Sequence, residues 1–147
     1  MIKSGIIIPV LIMVPNIIYY LKIRNKSDAP SSNKSAPKLI KMIENIGRLG
    51  ILITPLFYSL NLDNSFSMYF LVLCLLFLVL YYVAWLRYFM SGSNQIDLRK
   101  RLLIPLPLAV YPSLYLICSS YLLSSILMLI FSLVFAIGHI WVSYIES

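Results

Sequence analysis

Long apolar runs are the feature that most constrains this chain. They extend from Gly5 to Leu21, from Leu39 to Leu60, from Phe66 to Phe89 and from Leu102 to Tyr144. Hydrophobic residues make up 61% of the 147 residues and charged residues 12%, whereas a soluble domain has roughly 45–50% and about 25%. A soluble protein of this composition would expose too much apolar surface to water. The sequence therefore predicts a protein that lies in a lipid bilayer.

The lengths of these runs set the number of membrane spans. A helix needs about 20 residues to cross a hydrocarbon core of roughly 30 Å, and lipid offers the backbone no other hydrogen-bond partner. The last run is too long for one span and divides where four serines cluster, at Ser119–Ser125. Four spans are the alternative, because the first run has only 17 residues and contains Pro9 and Pro15. We predict an all-α, polytopic transmembrane helical bundle that forms one domain over residues 1–147, with five spans at about 5–21, 39–60, 66–89, 102–118 and 124–145.

The distribution of charge predicts the orientation of the bundle. The formal net charge is +7, and the linker 22–38 and the segment Met90–Arg101 are both basic. The connection Asn61–Ser65 contains Asp63 and no Lys or Arg. With five spans, eleven of the twelve basic residues lie on one side and only Lys3 lies on the other. Because basic loops stay in the cytoplasm, we predict a multi-pass protein of the cell (cytoplasmic) membrane, with the N-terminus outside and the C-terminus inside.

The same basic loops indicate the expected partners. Lys and Arg next to membrane spans attract the anionic headgroups of membrane lipids. The sequence has no recognition helix and no aromatic–basic strand pattern of the kind that RNA-binding sheets use. We therefore expect contacts with membrane lipids and no binding of nucleic acid.

Glu44 and Arg48 form the most conspicuous charged pair inside a predicted span. They lie one helical turn apart with the acid first, which is the favourable order for an ion pair. We favour a mutual pair at the membrane edge, with Arg48 extending to the headgroups. The alternative is a carboxylate that faces the bundle interior, where it binds a cation, carries a proton or orients a ligand.

His139 is the only histidine of the chain. It has no Cys or His partners at metal-ligand spacing, so we predict no metal site and no cofactor. It shares one predicted helix face with Ser125, Ser132, Ala136 and Ser143. Small and polar residues in such a line favour a helix–helix contact.

Five polar residues fall at a similar depth, near the cytoplasmic ends of the predicted spans. Asn16 and His139 lie roughly two turns inside, deeper than the ordinary polarity of a helix end explains. We predict that the five form an inner-leaflet polar cluster that binds a ligand. In this cluster Glu44 is the charged centre, Arg48 and Arg87 are anion contacts, and Asn16 and His139 are hydrogen-bonding members.

Several functions fit such a cluster, and none involves a known catalytic motif. Phosphate-binding loops, dinucleotide fingerprints, zinc-protease and serine-hydrolase motifs are all missing from the sequence, so an enzyme is the less favoured class. Our leading hypothesis is a protein that binds a lipid headgroup, a small ligand or a partner subunit. The partner subunit is either another membrane protein or a second copy of this chain. A small transporter, or a subunit of one, that uses Glu44 and His139 as proton or cation sites is one alternative. A lipid-modifying enzyme with either residue as general base is the other.

Four short motifs carry a resemblance to a known group. They are Glu44–Gly50, Tyr81–Phe89, Ile104–Pro107 together with Tyr111 and Pro112, and Gly138–Ile140. Together they resemble uncharacterised small polytopic integral membrane proteins from low-GC Gram-positive bacteria. The resemblance implies a bacterial cytoplasmic membrane and implies no mechanism.

Overall fold

The computed structural model describes residues 4–24, 35–90 and 106–146. These residues form helices and turns without any strand, so the all-α part of the prediction is confirmed for the described chain. Most of the basic linker, Lys3 and the basic run Arg99–Arg101 lie outside the described residues. The helices are α1 (Ile7–Arg24), α2 (Lys38–Ile53), α3 (Ser65–Met90), α4 (Pro107–Leu122) and α5 (Ile126–Ile145), with 3-10 turns at Ser4–Ile6 and Thr54–Phe57.

Three helical segments are long and apolar enough to cross a membrane. They are Ser4–Lys22, Ser65–Met90 and Ile126–Ile145, and this finding concerns length and composition within the described residues. The helices α2 and α4 have 16 residues each, which is short of the roughly 20 that a full span needs. The structure therefore supports a membrane protein with three candidate spans, which is a coarser result than the predicted five.

Proline residues explain where α2 ends and where α4 begins. The helix predicted to reach Leu60 ends at Ile53, and Pro55 lies in the 3-10 turn that follows. Proline has no amide hydrogen to continue the helical hydrogen-bond ladder. Pro107 occupies the first turn of α4, where that missing hydrogen costs nothing, while residues 102–105 of the predicted span lie outside the described chain.

The connections place alternate helix ends together. At one end of the bundle, the amide of Gly5 donates to the Tyr58 oxygen over 3.2 Å and the amide of Asn61 donates to the Leu122 oxygen over 2.7 Å. At the opposite end, Lys41 Nζ lies 2.7 Å from Glu146 Oε1. We call these the hairpin end and the charged end. Because each helix runs from one end to the other, the beginning of α1 and the end of α5 lie at opposite ends.

The helices pack side by side in the order α2, α5, α4, α3, and α1 contacts α3 and α4. The α2–α5, α3–α4 and α4–α5 interfaces are extensive, whereas α1 touches α3 and α4 at few points. The α2 face that carries Glu44, Gly47, Ile51 and Thr54 is buried. Large apolar side chains of α3 stay exposed, as lipid contact requires; they include Phe66, Met68, Tyr69, Val72, Leu75 and Val79.

Candidate functional site

Glu44, Arg48 and His139 form a compact group that we call the Glu44 cluster. Arg48 Nη2 donates to Glu44 Oε1 over 2.5 Å, and His139 Nδ1 lies 2.9 Å from the same oxygen. The Glu44 side chain is 8% exposed, whereas that of Arg48 is 51% exposed. The Glu44 carboxylate therefore forms the predicted ion pair with Arg48 and also faces the bundle interior.

Two glycines allow α2 and α5 to come close enough to build this cluster. A Cβ atom on Gly138 would lie 2.7 Å from the Glu44 Cα atom, and one on Gly47 would lie 2.4 Å from the Phe135 nitrogen. Contacts of that length are too short for any side chain, so only glycine permits the crossing. The Phe135 and His139 rings then stack, with centroids 4.8 Å apart, which fixes the imidazole beside the carboxylate.

A cavity of about 610 Å³ lies beside the Glu44 cluster. Its volume falls within the roughly 300–1,000 Å³ typical of small-molecule sites. Every one of the five described helices contributes to its wall. The lining consists of Pro9, Ile12, Met13, Asn16, Tyr19, Arg48, Ile51, Leu52, Tyr81, Trp85, Leu106, Leu108, Ala109, Pro112, Leu116, Phe135, His139, Ser143 and Glu146.

The cavity lining contains both apolar and polar side chains, and on α2 and α5 its character changes along the helix. On α5 the lining changes from Phe135 through His139 to Ser143 toward the charged end, a distance of about 12 Å at about 1.5 Å per residue. On α2 it changes in the same sense, from Leu52 deeper in the bundle to Arg48 nearer the charged end. On α2 and α5 the polar lining groups thus lie nearer the charged end than the apolar ones of the same helix. On α4 the lining near the charged end is apolar and consists of Leu106, Leu108 and Ala109.

Asn16 belongs to the wall opposite the Glu44 cluster. Its Nδ2 donates to the Ile12 oxygen over 3.1 Å and to the Tyr81 hydroxyl over 2.9 Å. Tyr81 is 2% exposed and joins α1 to α3 at this level. The amide is therefore held by the wall itself, and its side chain is fixed in position at the cavity.

Of the five predicted site residues, the structure brings four together around one space. Asn16, Arg48 and His139 line the cavity, and Glu44 lies behind the lining, where it holds Arg48 and His139. Arg87 is not among the described residues that line it, because it lies two positions beyond Trp85 on another face of α3.

The line of small and polar residues on α5 divides between two roles. Ser125, Ser132 and Ala136 are buried, in agreement with the predicted helix–helix contact. His139 and Ser143, nearer the charged end, line the cavity.

Sequence reasoning missed Tyr81 and Trp85 as site residues. Trp85 is 7% exposed and lines the cavity. The two aromatic residues lie one helical turn apart on α3, a spacing that places them on one face. Periodicity alone does not show whether such a face meets lipid or protein.

Comparisons with known proteins supply no relative for this chain. Neither a protein-family model, nor a curated protein, nor a solved structure matches it. Within the described residues, no group of three or more His, Cys, Asp or Glu side chains is placed to hold a metal ion. The geometry of the cavity is therefore the basis for assigning a function.

Proposed function

We propose that this chain is an integral membrane protein that binds one amphipathic, lipid-like molecule in the cavity beside the Glu44 cluster. The single observation that supports this function is the change of the lining from apolar to polar along α2 and α5. An amphiphile has the same arrangement, since its tail gains from leaving water and its headgroup needs hydrogen-bond partners. The function is binding, with no catalytic step assigned.

The polar part of the cavity lining has the groups that a headgroup requires. Arg48 is half-exposed and uses one nitrogen on Glu44, and a guanidinium has five N–H donors. His139 uses Nδ1 on Glu44 and keeps its second ring nitrogen. Because Glu44 balances the charge of Arg48, the pair adds donors to the cavity with little net charge.

The position of the cavity fits access from the membrane. Met13 and Leu52 both line it and are partly exposed, and α1 and α2 share no extensive interface. A tail can then enter sideways from the lipid phase between these helices. The headgroup stays near the membrane surface, at the charged end.

The proposed topology has five spans, with the charged end in the cytoplasm and the N-terminus outside. The alternating helix directions support an odd number of crossings. Lys22, Lys38 and Lys41 belong to the charged half of the bundle, and positive charge is retained on the cytoplasmic side. The helices α2 and α4 are short for a membrane span, but α5 packs against both of them, so protein as well as lipid surrounds them in the bilayer. The resemblance to small bacterial membrane proteins stays a prediction.

Native mass spectrometry tests the binding function directly. The protein is released from nanodiscs of phosphatidylglycerol and phosphatidylethanolamine, and the lipids retained after collisional activation are counted. We expect one retained lipid for the wild type. The variant Leu52→Trp fills the apolar part of the cavity and should retain much less.

The matched control is Leu49→Trp, which makes the same exchange on the same helix at a residue that is 59% exposed. It should retain lipid as the wild type does. Equal retention by the two variants, or no retained lipid in the wild type, would contradict the proposed function.

A further inference from the structure

Cys74 and Cys118 are the two cysteines of the chain, and they meet where α3 packs against α4. Cys74 Sγ lies 3.8 Å from the Tyr115 oxygen and 3.5 Å from Ser119 Oγ, so it rests on the turn of α4 that contains Cys118. The two thiols also interact with each other directly. Both cysteines are free. The fold therefore brings two free thiols from separate helices to one place.

A ring contact in the neighbouring turn keeps the two helices in this register. Phe70 and Tyr121 stack with their ring centroids 4.1 Å apart. Phe70 lies about one turn before Cys74 on α3, and Tyr121 lies about one turn after Cys118 on α4. Because the two helices run in opposite directions, the ring contact and the thiol contact are successive steps of one interface. A disulfide needs cysteines that face each other at short range, and this interface holds the two thiols in such a position.

The two thiols differ in their access to the surroundings. Cys74 is 4% exposed, whereas Cys118 is partly exposed. Cys118 shares its side of α4 with Tyr121, which is also exposed. In a bundle that lies in a bilayer, this surface meets lipid. A reagent dissolved in the membrane therefore reaches Cys118 first, and Cys74 lies behind it.

The turn of α4 also provides acceptors for the Cys74 proton. Ser119 Oγ donates its own hydrogen to the Tyr115 oxygen over 2.7 Å, so it keeps its lone pairs for the Cys74 S–H. The Tyr115 oxygen is the second acceptor. The proton of Cys74 is thus held by α4 while its sulfur stays beside Cys118.

We propose that Cys74 and Cys118 form a redox-active thiol pair, which an organic hydroperoxide of the lipid phase oxidises to a disulfide. The Cys118 sulfur attacks the terminal oxygen of the hydroperoxide. The O–O bond breaks, an alcohol leaves with the Cys118 proton, and Cys118 becomes a sulfenic acid. The Cys74 sulfur then attacks the Cys118 sulfur, and the displaced hydroxyl group leaves as water with the Cys74 proton. The two sulfurs lose two electrons, and the peroxide gains them.

This inference is independent of the proposed function, because neither cysteine is among the residues that line the cavity. It requires only the contact between α3 and α4 and the exposure of Cys118 to lipid. The pair therefore adds a modification site to the protein, on a different part of the bundle.

Tryptic digestion gives a direct assay for the disulfide. Arg99, Lys100 and Arg101 lie between the two cysteines in the sequence, so trypsin separates them unless the disulfide joins the fragments. The reduced full-length protein in nanodiscs is exposed to a phosphatidylcholine hydroperoxide in the bilayer, or to the same amount of hydrogen peroxide in the water. It is then denatured, blocked with maleimide and digested. We expect linked fragments that separate on reduction, and faster linkage with the lipid hydroperoxide.

Single substitutions test the order of the two steps. Cys74→Ser removes the second thiol, so Cys118 should stop at the sulfenic acid, which dimedone traps. Cys118→Ser removes the outer thiol, so Cys74 should react with the lipid hydroperoxide roughly tenfold more slowly, or less, than Cys118 does. Similar rates for the two cysteines would contradict the assignment of Cys118 as the thiol that reacts first.

The matched control moves the outer thiol by one residue. Ile117→Cys in a Cys118→Ala background keeps a partly exposed cysteine on the same turn but rotates it about 100° around α4. This variant should form no disulfide with Cys74. Equally fast linkage in the control, no disulfide in the wild type, or faster linkage with hydrogen peroxide would overturn the inference. None of these results would alter the retention of lipid, which tests the proposed function separately.

Discussion

Tyr82 donates a hydrogen bond of 2.7 Å to the backbone oxygen of Leu11. This oxygen is the one that Pro15 leaves without a helical partner, because proline has no amide hydrogen for the carbonyl four residues before it. An unpaired carbonyl in a membrane helix is costly, and a neighbouring helix often supplies the missing donor. The Tyr82 hydroxyl of α3 thus supplies the hydrogen bond that α1 loses at its proline. This contact connects α1 to a bundle with which it otherwise shares few contacts.

Removal of this hydroxyl should destabilise the protein through its link to α1. We expect Tyr82→Phe to lower the free energy of unfolding by about 0.5–1.5 kcal/mol, measured by thermal or denaturant unfolding in detergent. In a Pro15→Ala background the Leu11 carbonyl regains an amide partner, so the same change should cost less. Tyr20→Phe, at a residue that is 67% exposed, is the control and should have little effect. Equal costs in both backgrounds would show that the contact does not depend on the proline.

The Glu44 carboxylate should contribute more to stability than the other acid near the charged end. Glu44→Gln leaves Arg48 and His139 without their charged partner, which we expect to cost about 1–3 kcal/mol. Glu146→Gln breaks a pair with Lys41 in which both side chains are over one-third exposed, and should cost under about 1 kcal/mol. Unfolding in detergent measures both values. If the Glu44→Gln variant were as stable as the Glu146→Gln variant, the Glu44 cluster would contribute no more to stability than the exposed pair of Lys41 and Glu146.

Alanine substitutions at two glycines of the bundle should differ in whether a second substitution restores the lost stability. A Cβ on Gly138 would meet the backbone of Glu44, whereas a Cβ on Gly50 would meet the ring of Phe131. We expect Gly138→Ala and Gly50→Ala each to lower the free energy of unfolding by about 1–3 kcal/mol through overpacking. Adding Phe131→Leu should restore much of the loss in Gly50→Ala and none in Gly138→Ala. If Phe131→Leu restored the stability of both variants, α2 and α5 would have to lie farther apart at their crossing than the structure shows.

The proposed topology is checked by labelling single cysteines. Cys74 and Cys118 are first replaced by alanine, and a cysteine is then introduced either at Asn61, at the hairpin end, or at Lys38, at the charged end. In intact cells a membrane-impermeant maleimide should label Asn61→Cys at once and Lys38→Cys only after permeabilisation. The reverse pattern would contradict the orientation, and labelling of both in intact cells would contradict the crossing of α2.

The buried α2 face and the long apolar helices could be predicted from the sequence because they are periodic or continuous features. The spacing of Glu44, Gly47, Ile51 and Thr54 places them on one side of any helix, whatever surrounds it. Similarly, α3 extends over Ser65–Met90 against a predicted 66–89, since an uninterrupted apolar run has clear ends. The ends of α2 and α4 were harder to place, because a proline bends, begins or ends a helix according to its neighbours.

By itself, the sequence determined that this chain is helical, apolar and asymmetric in charge, because those properties depend on composition and local spacing. Only the tertiary structure decided that the Asn16 amide and the Arg48 guanidinium line one cavity while Arg87 does not. Depth in a membrane can be estimated along one helix, but the direction of a side chain across a bundle depends on which helices pack together. Here that packing is set by the close glycine contacts between α2 and α5 and by the tyrosine hydroxyls that hold α1.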